Sequence, residues 1–475
     1  MAVRIVVIGA GPGGYIAAMR SAQLGAEVTV IERDRAGGTC LNRGCIPSKM
    51  IKHTAQMFED MQRSGQFGIE IRDARVDMKL VQDRKEKLLE NQAAGILKLL
   101  KHHKIRHLKG RGFVKGPNLA EVVQDDQTGI EVPWDRLIIA TGSEPMPLSS
   151  FSFDGKTILS STDALNLQQV PESVLIVGAG AIGCEFACML SALGSKVTLV
   201  EAMDRILPGP HVDADMCAVL QREMKKRKIQ ILVNRIIEAI EKIPQGVRAS
   251  IGTLAGPGPE GKAFAPVTVE VQNAVVCIGR RPLNAGLGLE KIGVRTDEKG
   301  WILADDRMQT RAPGVYAIGD ALGPRRPMLA HVASTEGITA AQNAMGAQSV
   351  MNYDVIPGVI YTMPEAAHAG LTESQARKKG VEVRSETVLF RSLGMAHALG
   401  TIEGQIKMLS DARTGKLLGV HIVGPHASDL IAEGALAIRL GSSVKDLADT
   451  VHAHPSLSEI MLEAALKSLG KPLHG

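Results

Sequence analysis

Residues 4–34 read RIVVIGAGPGGYIAAMRSAQLGAEVTVIERD, and residues 173–203 read SVLIVGAGAIGCEFACMLSALGSKVTLVEAM. Each stretch is an apolar strand pattern, a glycine-rich turn, a helix with small residues on one face, then Leu-Gly and a second strand ending in Glu. The first copy carries Gly9, Gly11 and Gly14 with Glu32; the second carries Gly178, Gly180 and Gly183 with Glu201. From first glycine to acid the interval is 23 residues in both. In such a turn the first glycine bends the chain tightly. The second lets backbone approach a pyrophosphate, and the third lets helix and strand pack closely. The helix N-terminus offers unpaired N–H groups and the positive end of its dipole to the phosphates, while the acid accepts from a ribose diol. One turn of this kind is a weak signal; two complete copies at matched spacing are a strong one.

The repeat sets the fold class: α/β, with two Rossmann-like dinucleotide-binding domains. A C-terminal mixed α/β domain follows, from YDVIPGVIYTMPEAAHAGLTESQA at 353–376 through TGKLLGVHIVGPHASDLIAEGALAIRLG at 414–441. A length of 475 residues suits about three domains. Aromatics are only 3%, so the cores rest on Val, Ile, Leu, Ala and Met. At the second acid, Glu201, a carboxylate repels a 2′-phosphate and favours NAD over NADP; Arg205, four residues on, weighs the other way.

The net charge of +5 is modest. Basic clusters at 101–111 (KHHKIRHLKGR) and 224–229 (MKKRKI) close helical patterns, where cations complement the helix dipole. No aromatics interleave with them, so nucleic acid is not expected as a partner. The chain begins straight into a strand, and no apolar run reaches the ~18 residues of a membrane span. No membrane association is expected, and the cytoplasm is the expected compartment.

Six cysteines without an export signal argue against a structural disulfide framework, so a close pair reads as redox-active or metal-binding. Cys40 and Cys45 in GGTCLNRGCIPSKM (37–50) form such a pair. Their spacing is wrong for a zinc knuckle and no second cluster follows, so no metal is expected. They precede a predicted helix, whose N-terminus lowers thiol pKa values, and a dithiol beside a dinucleotide site stores two electrons. The blander reading is two inert buried cysteines. For Cys184, Cys188, Cys217 and Cys277, among small apolar residues, inert packing is the expectation.

Near the end, VHAHPSLSEIMLEAAL (451–466) places Glu459 five residues after His454. A carboxylate on one imidazole nitrogen orients the ring and leaves the other nitrogen to take a proton. By itself a histidine before proline is more often a turn residue, and His452 is expected to be structural.

GGTCLNRGCIPSK resembles the redox signature of the pyridine-nucleotide disulfide oxidoreductases, a family that includes dihydrolipoamide dehydrogenase, glutathione reductase and mercuric reductase. The similarity runs essentially end to end. It implies FAD in the first dinucleotide unit, NAD in the second, and a Cys40–Cys45 redox disulfide. TRAPGVYAIGDA resembles the second FAD motif, whose acid, here Asp320, bonds the ribityl chain. RLIIATGSEP (Thr141, Gly142, Ser143) and VVCIGRRPLN (Gly279) resemble the crossover and nicotinamide-side strands. Met328, Leu329, Ala330 and His331 match the segment along the flavin edge, Gly112 the strand passing the adenine, and Lys49 with Glu185 the ion pair beside the flavin's reactive nitrogen.

HxHPxxxE resembles the base motif of the dihydrolipoamide dehydrogenases. It implies that His454 and Glu459 reach across a homodimer interface to the other subunit's cysteines. The implied reaction takes dihydrolipoamide, free or on the lipoyl-bearing protein of a multi-enzyme complex, and NAD+ to lipoamide and NADH. The alternatives are another low-molecular-weight disulfide reductase, or a non-catalytic flavin subunit or redox sensor. The implied domains are 1–150 and 279–350 for FAD, 151–278 for NAD and 351–475 for dimerisation.

Three features depart from the family pattern. Arg43 stands between the cysteines where a small apolar residue is usual, placing a charge near the disulfide. SLGMAHALG (392–400) replaces an Asn/Arg-bearing stretch, and His368 occupies a normally small position. No cysteine follows Cys277, so the C-terminal pair of mercuric reductase and the larger thioredoxin reductases is missing.

Overall fold

The structure, a computed structural model, describes residues 2–148, 151–253 and 266–474. Its contacts divide the chain into two compact units: Met1–Met50, Lys79–Met146 and Gly279–Asn352 in one, Ile51–Met78, Pro147–Ile278 and Tyr353–Gly475 in the other.

The first unit is built on a five-stranded parallel sheet. Arg4–Ile8 lies at its centre, flanked on one side by Glu27–Glu32 and Arg106–Lys109, on the other by Arg136–Ile139 and Val315–Ala317. Parallel strands covered on both faces read as unbroken apolar runs. Ile5, Val7, Leu137 and Ile138 accordingly have no solvent exposure. The helix Pro12–Gln23 follows the first glycine turn and packs against Ala330–Ala344. A Cβ on Gly337 would stand 2.5 Å from the Gly13 carbonyl oxygen, which explains the small residues on that helix face.

The second unit repeats the arrangement. Ser173–Val177 is central, with Lys196–Val200 and Gln230–Leu232 on one side and Asn273–Val276 and Ile158–Ser160 on the other, all parallel. The duplication reaches further than the two motifs alone indicate. In each unit a three-stranded antiparallel meander precedes the fourth strand: Arg111–Gly116, Leu119–Val123 and Gly129–Pro133 in the first, Ile236–Ile243, Gly246–Gly252 and Val267–Val271 in the second.

The second unit also holds a five-stranded antiparallel sheet, ordered Gly358–Ile360, Glu365–Gly370, Leu417–Gly424, Gln405–Asp411, Val383–Leu389. Helices Ala427–Leu440 and Glu459–Ser468 pack on it over a core that includes Phe390, Val420, Ile422, Ile460 and Met461. This is the expected C-terminal mixed α/β domain.

Candidate active site

The two glycine turns adopt one geometry. Gly9 and Gly178 have φ of +106° and +98°, and a Cβ on either would stand 2.3 and 2.6 Å from the carbonyl oxygens of Ala140 and Cys277. A Cβ on Gly14 or Gly183 would come within 1.9 Å of the carbonyl oxygen of the first glycine in its own turn. The middle glycines, Gly11 and Gly180, are the helix N-caps, carry no side-chain cap and meet nothing closer than 3.8 Å. The amides that open each helix thus face room for a phosphate group.

The acids match as well. Glu32 accepts from the backbone N–H groups of Ala10 (2.7 Å) and Asp34 (2.9 Å), and Glu201 from Ala179 (2.6 Å) and Met203 (3.0 Å). Both carboxylates are buried. Burial pushes the Glu32 carboxyl up, and the Ala10 amide opposes that shift. Arg205 Nη2 donates to the Gly209 carbonyl (3.4 Å), four residues along its own loop.

On the far edge of the first unit a polar network assembles from strands distant in sequence. Ser143 Oγ donates to Asp320 Oδ2 (2.5 Å) and accepts from Arg280 Nε (2.6 Å), while Arg280 Nη2 donates to the Ser143 carbonyl (2.7 Å). Arg280 lies 3.6 Å from Asp320, and burial lowers its pKa. Thr141 Oγ1 donates to Asn284 Oδ1 (2.6 Å), and Asn284 Nδ2 to the Gly300 and Ala321 carbonyls. The buried Glu336 carboxylate accepts from Gly319 N–H (2.7 Å) and so fixes the turn that presents Asp320. Arg280, Asn284 and Glu336 were not singled out from sequence. Arg280 and Asn284 lie within the quoted VVCIGRRPLN, where only Gly279 was chosen; nothing in the sequence pattern marks Glu336.

Gly142 and Gly279 take positive φ (+72° and +141°), and Met146 N–H donates to the Gly279 carbonyl (3.1 Å). Gly112 packs against Ile8 and Ile31 of the parallel sheet, where a Cβ would meet methyl groups at 3.1–3.2 Å. Met328 and Leu329 lead into the helix that starts at Ala330, and His331 is exposed on its first turn.

Cys40 lies in a short helix, Gly38–Arg43, and Cys45 opens the next, Cys45–Gln62. The expected lowering of thiol pKa at a helix start does not hold for Cys40. Its hydrogen bond to Cys45 pushes its pKa strongly up, burial adds to this, and Lys49 opposes it. Arg43 is ion-paired with Asp34, so its charge is turned to a carboxylate rather than left bare between the sulfurs. Lys49 Nζ lies 3.4 Å from Ser48 Oγ in the first unit; in the second, the Glu185 carboxylate accepts from Tyr361 N–H (3.0 Å).

His454 Nδ1 is 2.8 Å from Glu459 Oε1, and Ser456 N–H donates to Glu459 Oε2 (2.9 Å). Burial works to raise the Glu459 pKa, but the Ser456 amide and His454 outweigh it and the group lies below its ordinary value. The His454 side chain is 77% exposed, and its Nε2 makes no hydrogen bond among the described residues. His452 differs: it is 5% exposed, with Nδ1 on the Thr450 carbonyl and Nε2 on Glu433, both 2.9 Å. Both of its ring nitrogens are thus engaged within the chain.

Residues 3–337 match the profile of the pyridine nucleotide-disulphide oxidoreductases, and residues 356–465 that family's dimerisation domain. The chain belongs to the pyridine nucleotide-disulphide oxidoreductases. It is 41% identical over 462 residues to a dihydrolipoyl dehydrogenase of Thermus scotoductus, covering 97% of this chain and 96% of that one. It is 39% identical over 472 residues to mitochondrial dihydrolipoyl dehydrogenase 1 of Arabidopsis thaliana, covering 99% and 91%. The crystal structure of LpdA from Mycobacterium tuberculosis superposes with a TM-score of 0.89 at 29% identity, covering 98% of this chain and 99% of that one. As a flavoprotein of this family the chain uses FAD and NAD. The two cradles suit these groups: open space and uncapped amides stand where each pyrophosphate belongs, and a buried carboxylate where each ribose belongs. Among the described residues, no helix is long and apolar enough to cross a membrane.

Proposed function

We propose that this chain is a dihydrolipoyl dehydrogenase that oxidises dihydrolipoamide with NAD+ through the Cys40–Cys45 couple. The observation that carries the reading is the outward-facing base: Glu459 holds His454 by Nδ1, while Nε2 and most of the ring face solvent. A base so placed serves a site completed by another surface. The dimerisation domain at 356–465 makes a second copy of the chain the natural supplier, so the active form is a homodimer.

In this reading, His454 Nε2 takes a proton from one dihydrolipoamide thiol. The thiolate attacks Cys40 Sγ, a mixed disulfide forms, and Cys45 leaves as thiolate. The second lipoyl thiol then displaces Cys40, lipoamide closes its own disulfide, and Cys40 takes up the proton. Cys45 is left as the thiolate. FAD, when bound, relays the two electrons of the dithiol to NAD+.

Gly9, Gly11, Gly14 and Glu32 hold the FAD pyrophosphate and ribose, with Gly112 beside the adenine. Thr141, Gly142, Ser143 and Asp320 lie along its ribityl chain, Met328–His331 along the ring edge, and Lys49 with Glu185 at the reactive nitrogen. Gly178, Gly180, Gly183 and Glu201 bind NAD, and Gly279 flanks the nicotinamide. The domain division is 1–150 with 279–350 for FAD, 151–278 for NAD and 351–475 for dimerisation. The substrate in the cell is a lipoyl group on a partner protein. Cys184, Cys188, Cys217 and Cys277 form no disulfides, which suits the reducing cytoplasm.

Cys45→Ser tests the assignment. Flavin absorbance should persist and lipoamide-dependent NADH formation should vanish; retained turnover with the serine variant would overturn it.

A further inference from the structure

A third imidazole stands beside the dyad. The chain after the helix Glu459–Ser468 turns back so that His474 meets Glu463, one helical turn from Glu459. Glu463 is buried, 4% exposed, yet carries a carboxylate. His474 satisfies both of its oxygens: the backbone N–H donates to Oε2 (3.1 Å) and Nδ1 lies 2.9 Å from Oε1. A carboxylate at that depth needs a paired donor, and a cation there costs least. The imidazole itself is largely open to solvent.

We propose that His474 is a positioning residue for the His454–Glu459 base: clamped on Glu463, it sets a positive charge one turn from Glu459 and holds that carboxylate ionised toward His454. The proposal rests on the reading of His454 as the thiol base. Residues i and i+4 on a helix are neighbours, ~5–6 Å between Cβ atoms, so a charge bound at Glu463 is felt at Glu459. The pKa directions agree. Glu463 raises the His474 pKa, with Glu459 adding to it, and His474 contributes to the lowering at Glu459. A histidine with raised pKa stays protonated below about pH 6.5 and loses its charge only as pH rises through the folded value. The clamp is therefore charged on the acid side of neutrality, where the base must give up its proton to work.

The other charged groups packed around this helix have partners elsewhere. Lys445 pairs with Asp449, and Asp446 caps its own helix at Ser443. Arg384 pairs with Glu386, Asp411 accepts from its own turn, and Lys407 is held by Asp213, Asp215 and Glu373. Glu463 and Glu459 are the two groups that bear on His474.

Three variants of the holoenzyme test this: His474→Ala, His474→Asn and His474→Arg. Asn keeps a donor near the Nδ1 position without charge, and Arg keeps charge. The readout is kcat/KM for dihydrolipoamide across pH 5–9. Losing the cation should displace the acid limb upward by roughly half a pH unit, the size expected of one partly screened charge a helical turn away. Ala and Asn should shift alike, and Arg should stay with the parent. If Asn matches the parent while Ala alone shifts, the contact is structural and the proposal fails. It fails equally if no variant moves the limb. His454→Gln separates this from the underlying reading: full turnover there removes the base assignment itself, whatever His474 does.

Discussion

Acidification should destabilise the unit that contains His368, and removing that one side chain should remove much of the effect. Strand register places Gly358, His368, His421, Lys407 and Thr387 in one row across the C-terminal sheet. His368 stacks between His211 (6.1 Å) and His421 (6.2 Å), with its ring over the Cα of Gly358. Burial, then the neighbouring imidazoles of His421 and His211, push His368 down to about 3. His421 is also lowered, chiefly by burial. The Leu371 carbonyl and Asp213 oppose that shift, and Asp215 also favours the charged form, while Lys407 disfavours it. A histidine depressed on folding binds fewer protons folded than unfolded. Stability is thus full above about pH 6.5 and falls as pH drops toward 3. At pH 5 the ceiling for His368 is about 1.4 kcal/mol per unit over 1.5 units, roughly 2 kcal/mol. The ring keeps some solvent contact, which brings the expectation to about 1–2 kcal/mol. Thermal unfolding followed by far-UV circular dichroism at pH 7.5 and pH 5.0 reads this out. At 2–4 °C per kcal/mol for a large domain, Tm of the parent should fall by roughly 2–8 °C more than that of His368→Ala. The comparison is made within each variant, so any pH-independent packing loss in the alanine form cancels. Equal falls in the two proteins would refute the argument.

Two further perturbations bear on the second unit. Gly183→Ala places a Cβ 1.9 Å from the Gly178 carbonyl oxygen and should force the second cradle open; flavin content should survive while NADH no longer reduces the flavin in a stopped-flow titration. Lys407→Met leaves the buried Asp213 without its cation, together with the more exposed Asp215 and Glu373. With those two partly screened by water the loss should be about 2–3 kcal/mol, measured as a lower urea midpoint. In the same variant the Glu373 carboxyl, held at about 2 first by its Lys407 hydrogen bond, should titrate higher.

The features legible in the sequence were those carried by local pattern. Gly9, Gly11 and Gly14 with Glu32, and their counterparts from Gly178 to Glu201, are spaced by the geometry of one turn and one helix, so a linear reading recovers them. The His454–Glu459 pair is also close in the chain, but its role was legible only through the resemblance of HxHPxxxE to the family's base motif. What escaped was Arg280 and the meeting itself: Ser143 and Asp320 are legible singly, but register brings them together. Ser143, Arg280 and Asp320 come from three strand ends separated by up to 177 residues, and a periodic pattern says nothing about which strand ends meet. The row from His368 through His421 to Lys407 likewise exists only once three strands pair. Arg43 illustrates the converse. Its position between the cysteines invited a role at the disulfide, whereas the side chain has the reach to find Asp34, beyond the end of the second strand.

The two copies of the dinucleotide unit also show how one motif is given different work. Gly9 and Gly178, Gly14 and Gly183, Glu32 and Glu201 make the same contacts in both. The difference lies over the middle glycine. A Cβ on Gly38 would stand 2.6 Å from the Cα of Gly11, so the loop leading to Cys40 rests directly on the first phosphate turn. Gly180 in the second copy has nothing within 4 Å. A turn overlain by the redox loop suits a cofactor that stays with its cysteines, and an uncovered turn suits one that arrives oxidised and leaves reduced. Gly37 N–H also donates to the Ala10 carbonyl (2.8 Å), so the loop that carries the thiol pair is fastened to the first copy. A bulky residue at Gly38 would therefore disturb flavin and disulfide together while leaving the second turn as it is.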